Sequence, residues 1–485
     1  MNQSIRSAWL AAVAMFALIF GAISYVQVVG ADELNDNPWN QRAVLADYCK
    51  DRGAIIVAGK PIAESVAGDE TCSFQRKYTQ PELYAGITGY FSRTYGASGL
   101  EQELRDELAG SSDQLFLDRI SQVFLGRQAK GASVELTLDP KIQKLAYELI
   151  PDGQRGSIVV TNPKTGAIIA MVSKPSYDPN LIATHDVAKE QASFEELNRI
   201  RGINLNQSVS GPTGALLAPG SVFKLIDTAA ALNSGKYNKD SELPNPASLP
   251  LPGSSASLPN YAGGNCYTRT TADFAFALEQ SCNTPFASIA LDLGQEAIAE
   301  QARKFGFGQD FGDQLKLQSA VSVFPTDLDD AALAQSAVGQ RDVKATPLQI
   351  ALMTAAIANG GVQMKPNLIK TVRAPDLRVI SEPEPEVLRN STSPAIARQI
   401  TEWMTDVVSK GIAGGAAVPG VQVAGKTGTA QLGDSGLNNS WFTGFAPAND
   451  PQVAVTIVIE GVDVTTGAQL TSPNAKKIFE AVLNK

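Results

Sequence analysis

The sequence predicts an α+β fold, in which one antiparallel sheet is closed by distant segments and contains a helical insert, behind an N-terminal module and a transmembrane helix. Three observations predict it. Apolar, β-branched segments lie at both ends of residues 151–485, and helical patterns fill the sequence between them. A separate region, residues 32–150, precedes this part. The chain begins with an uncharged apolar segment that is long enough to cross a membrane.

The first element is the uncharged segment 7–31. As a helix it would span about 37 Å, more than the ~30 Å hydrocarbon core of a bilayer. Arg6 precedes it and Asp32 follows it, so we expect a single-pass protein of the plasma membrane with a cytoplasmic N-terminus and an exported C-terminal bulk. A cleaved signal peptide is the alternative, although no small-x-small site clearly ends the apolar run. We assign residues 1–31 to a cytoplasmic stub and a transmembrane helix.

The composition argues against several classes of function. The chain has 485 residues and a formal net charge of −9, which does not favour a nucleic-acid partner. Its one histidine, His185, and its four scattered cysteines form no zinc-like cluster, so we predict no metal and no cofactor. His185 would also have to serve any Ser-His-Asp triad, and its polar surroundings do not favour that role.

Residues 151–485 form the predicted catalytic domain. It opens with a hairpin, because segments 157–161 and 167–172 are β-branched and flank an Asn-Pro-Lys-Thr-Gly turn. Further elements are predicted as helices at 221–232, 271–280, 284–293, 327–338, 347–358 and 473–483, and as strands at 421–432, 441–445 and 453–460. The stretch 244–259 is rich in proline and serine and is predicted to be an exposed loop.

A serine and a lysine stand three residues apart where a helix should begin. Ser221-Val222-Phe223-Lys224 follows the chain break Pro219-Gly220. Residues three apart share a helix face, so Ser221 Oγ and Lys224 Nζ can meet. A lysine can be the base that activates a serine when burial or a second cation lowers its pKa. The same pattern is also typical of the solvated side of an ordinary amphipathic helix.

Two later motifs favour the catalytic interpretation. Ser281-Cys282-Asn283 follows a predicted helix, and Lys426-Thr427-Gly428-Thr429 lies in an alternating segment. The ordered set Ser-x-x-Lys, Ser-x-Asn and Lys-Thr-Gly is the signature of penicillin-recognising serine acyltransferases. On these motifs the chain resembles the class B penicillin-binding proteins, which are D,D-transpeptidases, from about residue 40 almost to its C-terminus. The resemblance implies a five-stranded sheet with helices on both faces and an all-helical lobe.

The resemblance also implies how the reaction is carried out. Ser221 would attack the carbonyl between the last two residues of a peptide that ends in D-Ala-D-Ala, with Lys224 as general base. Ser281 would relay a proton to the leaving amine, and Asn283 would hold a substrate amide. Lys224 and Lys426 would converge on one serine. Two neighbouring lysines disfavour each other's charge, which would explain how Lys224 loses its proton.

The strand that carries the third motif would bind the substrate or a β-lactam. The resemblance assigns Lys426, Thr427 and Thr429 to the terminal carboxylate. Gly428 would let the substrate lie against the strand edge as an added strand. Backbone N–H groups of Ser221 and Thr429 would form the oxyanion hole.

Residues 32–150 are assigned to a non-catalytic, pedestal-like or dimerisation-like module. By resemblance its motif residues are Asn40, Arg42, Arg52-Gly53, Ile55, Tyr95-Gly96 and Ser98-Gly99-Leu100-Glu101. The glycines are typical of turns and the arginines of ion-pair anchors. A catalytic glycosyltransferase module is the alternative, but the region is short and shows no suitable pair of carboxylates.

Residues 420–427 also read Gly-x-x-x-x-Gly-Lys-Thr, a match to the phosphate-binding loop. Such a loop must follow a strand and open a helix. Here the segment itself alternates like a strand, and no helical start follows Thr429. We therefore do not expect nucleotide hydrolysis.

A β-lactamase would share the three motifs. Residues 194–198 resemble the stretch that holds the deacylating glutamate of those enzymes, but they precede Ser221, and Phe194 stands at the glutamate position. We therefore expect a long-lived penicilloyl adduct and not rapid turnover. Residues 339–349 resemble a further signature of the family, in which Arg341 replaces a usual glycine.

The four cysteines allow three pairings, and an exported protein meets an oxidising environment. Pairing within each module joins Cys49 to Cys72 and Cys266 to Cys282. The second bond would anchor the loop beside the Ser-x-Asn motif. Buried free cysteines that only pack are the alternative.

The motifs and the resemblance together predict a peptidoglycan D,D-transpeptidase that crosslinks stem peptides through an acyl-enzyme on Ser221. Its expected partners are a donor peptide ending in D-Ala-D-Ala, an amine acceptor, β-lactams, the plasma membrane, and other proteins of cell division or elongation. A D,D-carboxypeptidase and a penicillin-binding scaffold or sensor without turnover are the alternatives, because they share these motifs.

Overall fold

A computed structural model describes residues 3–30, 34, 48–69, 72–115, 130–203, 205, 211–260 and 264–484. The motif residues Asn40 and Arg42 lie outside this part of the chain. The α-helices of the described residues are Gln3–Ser24, Pro81–Thr88, Gly99–Glu103, Arg105–Ala109, Pro140–Glu148, Val187–Asn198, Gly211–Gly214, Lys224–Ser234, Phe274–Glu279, Thr284–Leu293, Gln295–Lys304, Gly312–Leu315, Asp330–Ala337, Pro347–Ala358, Pro394–Ser409, Val464–Leu470 and Ser472–Leu483.

The strands of the described residues are β1 (Ile55–Val57), β2 (Lys60–Ala67), β3 (Phe74–Tyr78), β4 (Phe91–Ser92), β5 (Gly96–Ala97), β6 (Ser133–Leu136), β7 (Arg155–Thr161), β8 (Ile168–Lys174), β9 (Leu243–Pro244), β10 (Ser248–Pro250), β11 (Ser257–Pro259), β12 (Thr271–Ala272), β13 (Val362–Met364), β14 (Ile369–Arg373), β15 (Val379–Ser381), β16 (Val387–Asn390), β17 (Ala424–Gln431), β18 (Asn438–Ala446) and β19 (Val453–Val462).

The N-terminal helix is exposed along its whole length. Helix Gln3–Ser24 continues into a π-helical turn, Tyr25–Val29. The segment Ile5–Val29 is long and apolar enough to cross a membrane, and none of it is buried against the protein. An apolar helix without a protein partner suits a lipid environment.

The five-stranded sheet has the strand order β17-β18-β19-β7-β8 and is antiparallel throughout. Helices cover both of its faces. Phe442 packs against Phe479 of the C-terminal helix, whereas the next residue, Thr443, shares a hydrogen bond with Thr354 of helix Pro347–Ala358. Neighbouring residues of a strand point to opposite faces, so these two helices lie on opposite sides of the sheet. The predicted α+β fold is confirmed.

A second sheet, with the order β15-β14-β6-β1-β2-β3, lies mostly in the N-terminal region. Its strands β14 and β15 come from much later in the chain. β14 pairs antiparallel with β6, and β6 pairs parallel with β1. This sheet therefore joins the two sides of the boundary predicted at residue 150.

The exposed loop predicted at 244–259 is mostly exposed, but it is not without structure. Strands β10 and β11 pair there as a small hairpin, and Leu251 is buried against Ala287 and Ala334 of the helical lobe. Asn245 is buried as well. Proline and serine dominate the composition of the stretch and hide its few spaced leucines, which supply the contacts that fold it back onto the lobe.

An ion-pair network anchors the N-terminal module. Glu101 is fully buried and accepts hydrogen bonds from Arg76 at 2.6 Å and from Arg52 at 3.0 Å. Burial by itself would raise the pKa of Glu101, but the guanidinium groups of Arg76 and Arg52 outweigh it and hold that pKa below its ordinary value. The two sequence motifs of this module thus meet around one carboxylate.

We expect Glu101→Gln to destabilise the extracytoplasmic part of the protein by about 3–5 kcal/mol, because two buried guanidinium groups lose their counter-charge. The contribution of the carboxylate is present above its ordinary pKa of 4.5 and is lost as the pH falls through the lower folded value. Urea unfolding followed by circular dichroism measures the change. Glu148→Gln, which removes an exposed pair with Lys144, is the control and should leave the midpoint nearly unchanged. Equal shifts in both variants would contradict the importance of the network.

Candidate active site

Ser221 lies on a 3₁₀ turn, Gly220–Val222, that leads into helix Lys224–Ser234. The N–H of Phe223 donates to Gly220 O at 2.9 Å, which closes the tighter turn. Gly220 has a φ of +56°, and a Cβ there would lie 2.8 Å from the carbonyl oxygen of Thr429. Glycine is therefore required where this turn approaches strand β17. The helix predicted from Ser221 begins at Lys224, and Ser221 itself is partly exposed.

Lys224 is fully buried and links two of the predicted motifs. Its Nζ donates to Ser281 O at 2.7 Å and to Asn283 Oδ1 at 2.8 Å. No hydrogen bond joins it to Ser221 among the described residues, although their spacing allows one. Catalytic hydrogen bonds are often long in enzymes without substrate and tighten when substrate binds.

Lys426 approaches the same serine from strand β17. This lysine is fully buried, and its Nζ donates to Ser281 Oγ at 2.8 Å and to Thr427 O at 3.1 Å. Ser281 thus connects the two lysines, since its hydroxyl accepts from Lys426 and its carbonyl accepts from Lys224. The structure brings all three motifs together around this residue.

The pKa values of both lysines are lowered. Burial brings the pKa of Lys426 down to about 7. For Lys224, burial is the largest cause, the positive charge of Lys426 lowers the pKa further, and Asp227 acts in the opposite direction; the result lies well below the ordinary value of 10.5. The lowered pKa of Lys224 favours the neutral amine, which is the form that accepts a proton.

Ser281 has a backbone conformation that is rare for a residue with a side chain. Its φ is +58°, and its side chain is buried. A left-handed conformation costs such a residue about 1–2 kcal/mol and occurs most often at functional sites.

The next residue, Cys282, is joined to Cys266 by a disulfide bond, and Cys49 is joined to Cys72. The bond to Cys266 ties the strained segment to the preceding loop.

Asn283 is partly exposed and stands immediately before helix Thr284–Leu293. Its Oδ1 accepts from Lys224, and its Nδ2 donates to Pro259 O at 2.9 Å. An amide nitrogen has two hydrogens, so the second can donate to a ligand carbonyl. The side chain thus binds the buried Lys224 on one side and is partly exposed on the other.

Strand β17 is the edge of its sheet, so one row of its backbone groups has no strand partner among the described residues. Thr427 and Thr429 are partly exposed, and they alternate with the buried Lys426 and Gly428. A Cβ at Gly428 would lie 2.7 Å from Pro219 O, so this glycine accommodates the approach of the segment before Ser221. The edge and its threonine hydroxyls remain available to an extended ligand.

The loop after helix Asp330–Ala337 supports the site. Gly339 O accepts from Gly220 N at 2.8 Å, and Gln340 Nε2 donates to Thr429 O at 3.3 Å. Arg341 has a φ of +59°, a left-handed conformation that glycine adopts without strain. The arginine that replaces the usual glycine therefore stands in a backbone conformation suited to glycine.

The competing interpretations find no support in the described residues. Lys426 lies inside a strand that continues to Gln431, so the phosphate-binding loop lacks its helix. His185 Nδ1 lies 3.0 Å from Asp69 Oδ2, and this pairing does not include Ser221. Phe194 stacks on Tyr95 in a small apolar cluster.

Sequence reasoning missed two asparagines, Asn245 and Asn260, that lie behind Asn283. Both are buried, and Asn260 Oδ1 accepts from the backbone N–H of Asn283 at 2.8 Å. They fall within or next to the stretch predicted to be an exposed loop, where an asparagine is the expected turn residue. The available signal was weak, because no local pattern shows that such an amide is buried.

Comparison with known proteins finds family matches in both regions of the chain. The penicillin binding protein transpeptidase domain matches residues 156–484, and the penicillin binding protein A dimerisation domain matches residues 52–134. The peptidoglycan D,D-transpeptidase PbpA of Mycolicibacterium smegmatis is 38% identical, with 100% of both chains covered. That of Mycobacterium tuberculosis is 37% identical and covers 100% of this chain and 99% of its own.

Solved structures give the same result. The ceftriaxone acyl-enzyme complex of penicillin-binding protein A from M. tuberculosis superposes with a TM-score of 0.84 at 36% identity and covers 90% of this chain and 100% of that chain. Its penicillin G acyl-enzyme complex superposes with a TM-score of 0.82 at 36% identity and has the same coverage. The likeness extends over both regions of the chain.

Proposed function

Because the chain belongs to the family of penicillin-binding protein transpeptidases, we propose that it is a peptidoglycan D,D-transpeptidase that forms its acyl-enzyme on Ser221. One observation carries the assignment of residues. Two fully buried lysines, Lys224 and Lys426, converge on Ser281. Lys224 also ends the Ser-x-x-Lys motif that begins with Ser221, on the turn that leads into its helix. This arrangement provides a nucleophile, a neutral amine and a path for protons.

In the acylation step, Ser221 Oγ bonds to the carbonyl carbon between the last two residues of the donor peptide, and its proton passes to Lys224 Nζ. The bond to the terminal D-alanine then breaks, and the nitrogen of that residue takes a proton relayed through Ser281. In the second step an amine acceptor attacks the ester carbonyl, loses a proton by the same path, and releases Ser221. Lys224 is neutral again at the end of the cycle.

The exposed edge of strand β17 would orient the donor peptide. Thr427 and Thr429 are partly exposed on the strand that carries Lys426, and their hydroxyls together with that lysine would bind a terminal carboxylate. The edge backbone can pair with the peptide as an added strand. Backbone N–H groups of Ser221 and Thr429 would stabilise the oxyanion of the tetrahedral intermediate. A β-lactam presents a similar carboxylate and an acylating carbonyl, and its leaving group stays tethered, so the adduct should be long-lived.

The remaining regions would serve this reaction at a membrane surface. The apolar helix at the N-terminus would anchor the protein in the plasma membrane with its N-terminus in the cytoplasm. Residues 32–150 would act as a non-catalytic pedestal, and residues 151–485 as the transpeptidase domain. Other proteins of cell division or elongation are further expected partners.

An exchange assay tests the function. The extracytoplasmic part is incubated with a thioester analogue of a D-Ala-D-Ala peptide and with a D-amino acid as acceptor. We expect a new peptide that carries the acceptor, because an amine should compete with water for the acyl-enzyme. Release of the free acid alone would instead indicate a D,D-carboxypeptidase. An adduct with penicillin but no product would indicate a scaffold, and turnover of a chromogenic cephalosporin would indicate a β-lactamase.

A further inference from the structure

Helix Thr284–Leu293 starts after a residue that does not cap it. Asn283 occupies the N-cap position, where an asparagine ordinarily accepts a hydrogen bond from the backbone of its own helix. Its side chain makes no such bond. Oδ1 accepts instead from Lys224, and Nδ2 donates to Pro259 O. The first N–H groups of this helix therefore need another acceptor.

Asn260 supplies that acceptor from a distant part of the chain. Its Oδ1 accepts from Asn283 N at 2.8 Å, from Thr284 N at 3.0 Å and from Thr284 Oγ1 at 3.2 Å. Asn260 is 3% exposed, so these bonds are shielded from water. Asn260 thus satisfies, from outside the helix, the N–H groups of the N-cap residue and of the first helical residue, which a side chain at the N-cap position does not reach.

A second buried asparagine holds the first in place. Asn260 Nδ2 donates to Asn245 Oδ1 at 2.8 Å and to Pro246 O at 3.0 Å. Asn245 Nδ2 in turn donates to Cys266 O at 2.8 Å and to Arg269 O at 2.7 Å. Both hydrogens of each amide have carbonyl acceptors, which fixes the orientation of the two side chains.

From this geometry we propose that Asn260 is a positioning residue for the reaction, because it holds the backbone N–H groups of Asn283 and Thr284 and so fixes the Asn283 side chain where it binds Lys224 and the substrate. The inference rests on the function proposed for Ser221 and Lys224. The Asn283 side chain has a single carbonyl oxygen, and that oxygen is directed at Lys224. Asn260 thus orients the backbone, and Asn283 supplies the side chain of the site.

Loss of Asn260 would change the position of Asn283. The N–H groups of Asn283 and Thr284 would lose their acceptor, which is costly for buried donors. The Asn283 side chain cannot replace that acceptor, because from the N-cap position it reaches the N–H groups of the second and third helical residues. The backbone at Asn283 would then shift toward other acceptors, which would break the bond of its side chain to Lys224 and withdraw its amide from the substrate.

The test is a double-mutant cycle on the rate of acylation by a fluorescent penicillin. We expect Asn260→Ala to lower the second-order rate constant about 10–100-fold, as for other residues that orient a catalytic group. In the Asn283→Ala background the same change should cost less than about threefold, because the group through which Asn260 acts is gone. Full additivity of the two losses overturns the proposal, since Asn260 would then act independently of Asn283.

The pH profile separates positioning from a general loss of stability. An ammonium on Lys224 loses an acceptor when Asn283 turns away, so the acid limb of acylation in Asn260→Ala should move about one unit to lower pH. The other charged groups that act on Lys224 are Lys426 and Asp227, and both are unchanged. A limb that stays in place contradicts the proposal.

Two further variants guard against misfolding. Asn474→Ala removes another buried asparagine with two carbonyl acceptors, Leu149 O and Leu470 O, and should leave the acylation rate unchanged. Asn245→Ala keeps the Asn260 side chain but removes one of the hydrogen bonds that hold it. It should give a smaller loss of acylation rate than Asn260→Ala, and that loss should also disappear in the Asn283→Ala background.

If wild-type protein forms no adduct, the function proposed above is wrong. If it does and Asn260→Ala reacts equally fast, only this inference is wrong.

Discussion

The Ser221→Ala variant of the extracytoplasmic part should form no covalent adduct with penicillin G. Ser221 supplies the oxygen that bonds to the lactam carbonyl, and alanine offers no nucleophile. Loss of a catalytic serine commonly lowers the rate by about 10⁴–10⁶-fold, so the adduct should fall below detection. Intact-protein mass spectrometry measures the result, because the wild-type chain gains the mass of the whole drug.

Ser234→Ala is the matched control for this experiment. Ser234 ends helix Lys224–Ser234, which follows Ser221, and its Oγ donates to Ala231 O at 2.6 Å. This variant should react with penicillin as the wild-type protein does. An adduct that persists in Ser221→Ala, on whichever residue it maps to, would show that Ser221 is not the nucleophile.

Replacement of Lys224 by methionine should lower acylation about 10²–10⁴-fold, the range in which a general base contributes. Methionine fills a similar volume in a fully buried position but cannot accept the proton of Ser221. Stopped-flow measurement with a fluorescent penicillin gives the rate constant. Lys236→Met, just after the same helix, removes an exposed lysine that pairs with Asp292 and should have no effect.

The pH dependence follows from the charge on Lys224. Its pKa is lowered by burial and by Lys426, and the base is lost as the pH falls through that value. Acylation should therefore be slow at acid pH and rise toward neutral pH. In Lys426→Met the positive charge that lowers the pKa of Lys224 is gone, so the acid limb of the acylation profile should move to higher pH. A wild-type rate that is flat from about pH 5 to pH 9 would contradict a role for Lys224 as base.

The sequence predicts the sheet and several helices closely. Helices Thr284–Leu293 and Pro347–Ala358 have the predicted bounds, because proline stands near the start of each and their apolar patterns are continuous. Strands β7, β8 and β19 of the five-stranded sheet are recognised by their β-branched residues, which fit a sheet buried on both faces. These features are local, and a local pattern suffices to find them.

Features that depend on distant contacts could not be predicted. Nothing near Ile369–Arg373 indicates that this strand pairs with Ser133–Leu136 in the N-terminal region. The three motifs identify Asn283, but the acceptor that caps its helix comes from Asn260, in a segment whose composition resembles a loop. The 3₁₀ turn at Ser221 depends on the packing of Gly220 against Thr429. In each case a tertiary contact decides the local structure.

The late arrival of strand β14 has a consequence for the order of folding during synthesis. Strand β6 needs a partner on each side, and one of them lies in Ile369–Arg373. A ribosome that adds roughly 5–20 residues per second reaches that partner on the order of 10–50 s after it completes β6. Throughout this interval one edge of β6 has unpaired backbone groups, which can recruit a strand from another nascent chain. The newly made protein is therefore open to this kind of aggregation until strand β14 has been synthesised.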